Sequence, residues 1–172
     1  MEYFDLIRNR ESIRAYDSDR PVEPEKLERI LEAGRLAPSA ANRQPWKFIV
    51  VSTIQMLEKV RACYHRQWFK DAPHILIVAG EENAAWVRSY DHYNSLETDL
   101  TIAMDHMILA AENEGIGTCW IAAFNPEVLR SALQLKANEK VYAITPLGYQ
   151  PEGFVKTHNK IRKELHDIVK YI

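Results

Sequence analysis

Cysteine is too scarce in this chain to build anything: Cys63 and Cys119 make no disulfide framework and are not spaced as a metal site. The six histidines, His65, His74, His92, His106, His158 and His166, form no His-x-x-x-His pair and no Glu-x-x-His helical motif. That removes the usual helical routes to a zinc or di-iron centre, and no metal is expected. An excess of charge is missing as well. Lys and Arg number 22 against 24 Asp and Glu, well mixed, which argues against nucleic acid or an anionic membrane as the main partner. No apolar stretch approaches membrane-spanning length. The opening residues Glu2-Tyr3-Phe4-Asp5 lack the basic and apolar regions of a signal peptide, so a cytoplasmic protein is expected. Nor is there a Walker loop or a Gly-x-Ser-x-Gly elbow. Gly115-Ile116-Gly117 follows a helical pattern instead of a strand and lacks a third glycine, so it reads as a helix end and not as a dinucleotide fingerprint. Cys119 lies in an apolar run and reads as a structural thiol. With the common catalytic side-chain sets missing, any enzyme here would leave its chemistry to a cofactor.

What the chain does have is enough apolar material for one domain with a sizeable core: 47% of 172 residues are hydrophobic, with no linker or internal repeat. A short helix is predicted over Glu2–Asn9, and Pro24 opens another that keeps helical spacing through Leu27, Ile30, Leu31 and Leu36. Strands are expected at Lys47–Val51, Ile75–Ala79, Thr118–Ala123 and Lys140–Leu147, the last ended by Pro146 and Gly148. Ser52 or Thr53 can cap a helix carrying Met56, Leu57 and Val60, and Asn125-Pro126 another with Val128, Leu129 and Leu133. The longest helix signal spans Asn94–Glu114. Leu96, Leu100, Ala103, Met104, Met107, Ile108 and Ala111 share one broad face, and Ile102, Leu109 and Ala110 make the other side apolar too.

Four stretches carry candidate chemistry. Arg10, Ser12 and Arg14 alternate, and in extended geometry alternate side chains share a face, which would make a guanidinium-lined anion cradle. A second basic cluster, Lys160, Arg162 and Lys163, lies near the other end of the sequence. Between Pro38 and Pro45 sit small and amide-bearing residues, among them Ser39, Ala40, Ala41, Asn42 and Gln44. Small side chains there let backbone approach a flat ligand, with short hydrogen-bonding arms at hand. Ile121-Ala122-Ala123 is also small enough to expose backbone. A phosphate with a flat polar ring attached would use all four.

These pieces resemble the nitroreductase family of FMN-binding flavoproteins. Arg10-Glu-Ser-Ile-Arg14, Ala37-Pro-Ser-Ala-Ala-Asn-Arg-Gln-Pro-Trp46, Asp71-Ala-Pro73, Gly115-Ile-Gly-Thr-Cys-Trp-Ile-Ala-Ala-Phe124, Pro146-Leu-Gly-Tyr149 and Lys160-x-Arg162 occur in family order over nearly the full length. The resemblance implies an α+β three-layer sandwich, its central, mostly antiparallel sheet flanked by helices, built as an intertwined homodimer with FMN at the subunit interface. It implies hydride transfer from NADH or NADPH through flavin N5 to a nitroaromatic, quinone or similar small-molecule acceptor, by ping-pong turnover and with no obligatory side-chain acid or base. Carried over by position, Arg10 and Ser12 would hold the phosphate and ribityl chain, with Arg162 and Lys160 or Lys163 completing the phosphate site. Arg14 would lie near the pyrimidine end of the ring. Pro38, Ser39 and Asn42 would belong to the loop that reaches the cofactor of the other subunit. The backbones of Ile121, Ala122 and Ala123 would follow the ring edge, and the His65–Gln67 region, Gln67 chosen within it, its polar edge. Flavin fragmentation, reductive dehalogenation and non-catalytic flavin or nucleotide binding remain alternatives. Two departures stand out: Glu11, acidic where relatives often carry a basic residue or His, and Ala122-Ala123, in place of a Glu-Gly pair.

Overall fold

The computed structural model describes residues 2–158 and 160–172. Four strands, β1 (Trp46–Val51), β2 (His74–Glu81), β3 (Gly117–Thr118) and β4 (Glu139–Gly148), form a sheet in the order β1-β2-β4-β3. Every paired neighbour is antiparallel. Strand β2 shows why the result is three layers. Its residues His74 to Gly80 are all buried, and successive side chains must point to opposite faces. Ile75 and Ile77 enter a core with Leu57, Val60, Phe69 and Leu129, from helices α3 (Ile54–Arg61), α4 (Gln67–Asp71) and α6 (Pro126–Leu133). Leu76 and Val78 enter the opposite core, with Ile30 of α2 (Pro24–Arg35) and Leu100, Met104 and Ile108 of α5 (Leu96–Asn113). A strand sandwiched between helices has no solvent face, hence its unbroken apolar run.

Helix α5 is the central helix that its periodicity predicts, though shorter than Asn94–Glu114. It ends where Gly115 takes φ 75°, a left-handed position that glycine tolerates best. Gly34 lets α2 lie close on α5, because a Cβ there would come within 2.8 Å of two Met107 side-chain atoms. Asn125 caps α6 as expected, its side chain accepting from the N–H groups of Glu127 and Val128. Thr53 precedes α3 but makes no side-chain cap, and neither does Ser52, whose hydroxyl bonds His74. Two short elements complete the chain: α1 (Tyr3–Asn9) and α7 (Leu165–Ile168).

The predicted strand Thr118–Ala123 is mostly absent, and Pro146 explains it. Thr118 pairs with Leu147, so continuing the register sets Cys119 against Pro146, which has no N–H to give. The Cys119 N–H turns instead to the Thr145 hydroxyl, 3.0 Å away, and pairing resumes only at the isolated bridge between Ile121 and Ile144. Pro146 thus lies inside β4, opposite Ile75, and does not end it.

His74 at the start of β2 is buried with both ring nitrogens engaged. Nε2 accepts from the Val22 N–H at 3.0 Å, so Nδ1 carries the proton and donates to Ser52 Oγ at 2.7 Å. Burial pushes the imidazole below its ordinary pKa of 6.5. The unfolded chain therefore takes up the proton first, and stability present above pH 6.5 is lost as pH falls through the folded value. Urea midpoints are expected to drop between pH 7.5 and pH 5, and the His74→Gln variant to show a flatter slope.

Candidate functional site

After α1 the chain leaves the helix with Arg10 extended and Ser12 in an isolated bridge to Thr118, and the alternation does what the spacing predicts. Ile13 points inward, fully buried beside Tyr16 and Ala72, with its N–H on the Thr118 carbonyl at 2.8 Å. Arg10, Ser12 and Arg14 instead line a cleft of about 420 Å³. Lys160, Ile161 and Arg162, some 150 residues further along the chain, line the same cleft with Phe154 and Thr157. The two ends of the sequence therefore meet in a single hollow. Lys163 is exposed and is not part of its lining.

What sets this cleft apart is that its cations are gathered together without carboxylates gripping them. Arg29, Arg35 and Arg88 each grip a carboxylate through two nitrogens, on Glu114, Glu32 and Asp91. Among the described residues, Arg10, Arg14 and Arg162 have no such partner; Arg162 bonds only the carbonyl of neighbouring Ile161, at 2.9 Å. Lys160 donates to the carbonyls of Ile7 and Arg8 at the end of α1, a favourable place for a cation. Burial, and then the charges of Arg10 and Arg162, push its ammonium below its usual pKa, with Glu11 and Glu112 pulling the other way. Cations set against each other in a concave site give it a positive potential that an anion would relieve.

Beneath the cleft lies Cys119. Burial pushes its thiol up, partly offset by Arg14, by a hydrogen bond with Ser12 and by Arg10. Cys63 is likewise pushed up to about 11 by burial. Raised thiols are poor nucleophiles at neutral pH, as expected for packing cysteines.

The proline-bracketed loop is a tight turn. Ala40–Asn42 form a single 3₁₀ turn, and Ala41, Asn42 and Gln44 take φ of 49°, 53° and 49°. The Ser39 hydroxyl accepts from the Gln44 N–H at 2.9 Å, and Gln44 Nε2 donates to Asn42 Oδ1 at 3.0 Å. That leaves the Ser39 hydroxyl hydrogen and the Asn42 amide nitrogen as donors not consumed within the loop. Pro38, Ser39 and Asn42 do not line the basic cleft of their own chain.

Ile121 and its two neighbours part company. Ile121 is buried, and both its N–H and its carbonyl are committed to Ile144, at 2.9 and 3.0 Å, so its backbone is closed to a ligand. Ala122 and Ala123 are exposed. Ala123 borders a separate open hollow of about 710 Å³ with His65, Arg66 and Phe124. Gln67 is outside that lining; it begins α4, with its amide on Asp71 at 2.7 Å. Within the His65–Gln67 region expected at the ring's polar edge, His65 and Arg66 share that hollow with Ala123 and Gln67 does not. Sequence reasoning missed Phe154 and Thr157 in the basic cleft, and only their nearness to the basic cluster around Lys160 pointed to them.

The nitroreductase family model matches residues 7–63 and 54–149. An Archaeoglobus fulgidus protein provisionally named NADH dehydrogenase/NAD(P)H nitroreductase is 35% identical over 86% of this chain and 85% of its own length. Iodotyrosine deiodinase of Danio rerio is 26% identical over 97% of this chain and 66% of its own length. Among solved structures, a nitroreductase family protein of Clostridium difficile 630 superposes with a TM-score of 0.91 at 32% identity, covering 99% of this chain and 98% of that one. An FMN-dependent nitroreductase of Clostridium difficile R20291 does so at 0.75 and 27% identity, covering 96% and 94%. With its α+β sandwich and matched motifs, this chain belongs to the nitroreductase family.

Proposed function

We propose that this chain is an FMN-dependent NAD(P)H oxidoreductase acting as a homodimer. One observation carries the reading: three arginines without carboxylate partners and a lysine, drawn from both ends of the sequence, share one cleft with a serine hydroxyl. A phosphate monoester fits that donor set, because guanidinium groups pair with it bidentately and its charge relieves the repulsion among the cations. Arg10, Arg162 and Lys160 would hold the phosphate, and Ser12 the ribityl chain. Arg14 would stand near the pyrimidine end of the ring, where positive charge favours reduction. FMN held by these residues would supply the redox chemistry, accepting hydride from NADH or NADPH at N5 and passing reducing equivalents to a nitroaromatic, quinone or similar acceptor. The chain's own contribution is orientation and charge. Ala122 and Ala123 offer exposed backbone of small cross-section at the ring edge. Ser39 and Asn42, presented by the twin subunit, bring donors to the other side.

The dimer rests on apolar surface left uncovered in one chain. Tyr3 and Phe4 on α1 are exposed, and so are Ile161, Leu165, Ile168 and Tyr171 toward the C-terminus. On α5 the second apolar side, Ile102 and Leu109, is only half-buried. Surface of this kind favours association with another copy.

The test is the absorption spectrum of the purified protein. A yellow dimer whose 450 nm band bleaches with NADH or NADPH and recovers with menadione or nitrofurazone is expected, with parallel double-reciprocal plots. Colourless protein that stays so after FMN addition overturns the reading. The deiodinase likeness favours a second acceptor class, and halogenated phenols run as acceptors in the same assay distinguish it by halide release.

A further inference from the structure

Glu11 is the one carboxylate lining the basic cleft, and on charge alone it should weaken phosphate binding there. Its hydrogen bonds describe another task. Oε1 accepts from the Thr157 N–H at 3.1 Å, and Oε2 from the Thr157 hydroxyl at 3.3 Å and the His158 N–H at 3.2 Å. Two successive backbone N–H groups on one carboxylate make a small anion nest. The chain bends there, with His158 in the left-handed region at φ 49°. On either side of this bend a lysine ties the same two segments together. Lys156 reaches the Asn9 carbonyl at 3.2 Å and the Glu112 carboxylate, and Lys160 reaches the carbonyls of Ile7 and Arg8. Residues 7–11 are thus laced to residues 156–158 and to Lys160, with Glu11 at the middle crossing, and Lys160 is followed by the cleft's Ile161 and Arg162.

We infer that Glu11 is a positioning residue: it clamps the C-terminal segment through Thr157 and His158 so that Lys160 and Arg162 stand opposite Arg10 at one phosphate. The inference rests on the proposed FMN site and adds to it a residue whose charge has the wrong sign for the ligand. Its carboxylate is spent on donors of Thr157 and His158, and removing it takes away the middle of three ties on the segment that brings two of the cations.

The clamp and simple electrostatics predict opposite signs. FMN affinity is measured by quenching of flavin fluorescence at fixed ionic strength, on protein freed of flavin. If Glu11 acts as a clamp, Glu11→Ala weakens FMN at least about tenfold. Glu11→Gln, which keeps an acceptor oxygen, weakens it by only a few fold. Amide exchange at residues 157 and 158 quickens in flavin-free Glu11→Ala and slows again when FMN is added. If Glu11 acts only through its charge, both variants bind FMN more tightly, and that result overturns the inference. Unchanged affinity with a lowered melting temperature also overturns it, because the contact would then be structural only. Should Glu11→Ala fail to fold, Glu11→Gln and Thr157→Ala decide by the same signs. Failure of the unaltered protein to bind FMN counts against the proposed function, whereas exchange at residues 157 and 158 still reads the clamp by itself.

Discussion

Replacing Arg10 and Arg162 together by alanine is expected to weaken FMN binding by at least about a hundredfold while leaving the melting temperature of the flavin-free protein nearly unchanged. A hydrogen bond to a charged group contributes roughly 1.5–3 kcal/mol, so losing two such residues costs about 3–6 kcal/mol, or a factor of 10² to 10⁴. Stability should hold because neither side chain pairs with a carboxylate, and Arg162 bonds only its neighbour's carbonyl. Removing both also lifts two of the positive charges that push down the Lys160 ammonium. Flavin-free Arg10→Ala/Arg162→Ala should therefore show that group titrating closer to an ordinary lysine. Arg162→Lys keeps charge but loses the guanidinium fork, and is expected to recover only part of the affinity. Lys163→Ala, outside the cleft, serves as the control and should bind FMN as the unaltered protein does. Equal affinity in the double variant would place the phosphate elsewhere.

Much of this arrangement is legible in the sequence because it depends on local rules. Alternation brings Arg10, Ser12 and Arg14 to one face and buries Ile13, and a run such as Ile75-Leu76-Ile77-Val78 announces a strand covered on both sides. What stayed illegible depends on distant partners. No local pattern says that Pro146 will fall opposite Cys119 and cut β3 to two residues, since that is a matter of register between segments some 27 positions apart. Nor does Glu11 betray its role, because its donors are backbone groups near the far end of the chain. Read as a charge it is an anomaly; read as an acceptor it closes the cleft. Lys160 is a mixed case. Its place beside Arg162 in a basic cluster suggested a phosphate ligand, but the structure also gives its ammonium to the end of α1.

The loop between Pro38 and Pro45 carries the other large effect, through Asp99. This carboxylate on the first turns of α5 is almost wholly buried, 1% exposed, with no cation bonded to it among the described residues. Oδ1 accepts from the Ala40 N–H at 2.8 Å and Oδ2 from the Ser95 hydroxyl at 2.7 Å. The helix N-terminus favours a negative charge there. Ala40 leads directly into the left-handed positions Ala41, Asn42 and Gln44, each of which costs roughly 1–2 kcal/mol for an L-residue, less for Asn. Such a turn persists only if its surroundings over-determine it, and the Asp99 bond is the anchor from the core. Asp99→Ala leaves the half-buried Ala40 N–H and the buried Ser95 hydroxyl without partners, a loss of about 2–3 kcal/mol, or roughly 5–10 °C in melting temperature for a chain of this size. With the loop unpinned, the proposed dimer should also bind FMN more weakly, because Ser39 and Asn42 would lose the fixed presentation that the proposed site needs. Asp99→Asn separates shape from charge. Its carbonyl oxygen can accept from Ala40 while its amide donates to Ser95 Oγ, which keeps both contacts with the direction of the second reversed. Affinity and melting temperature close to those of the unaltered protein are expected in Asp99→Asn, and both should fall in Asp99→Ala. A carboxamide as damaging as alanine would mean that the loop is held by the negative charge itself and not by the two hydrogen bonds.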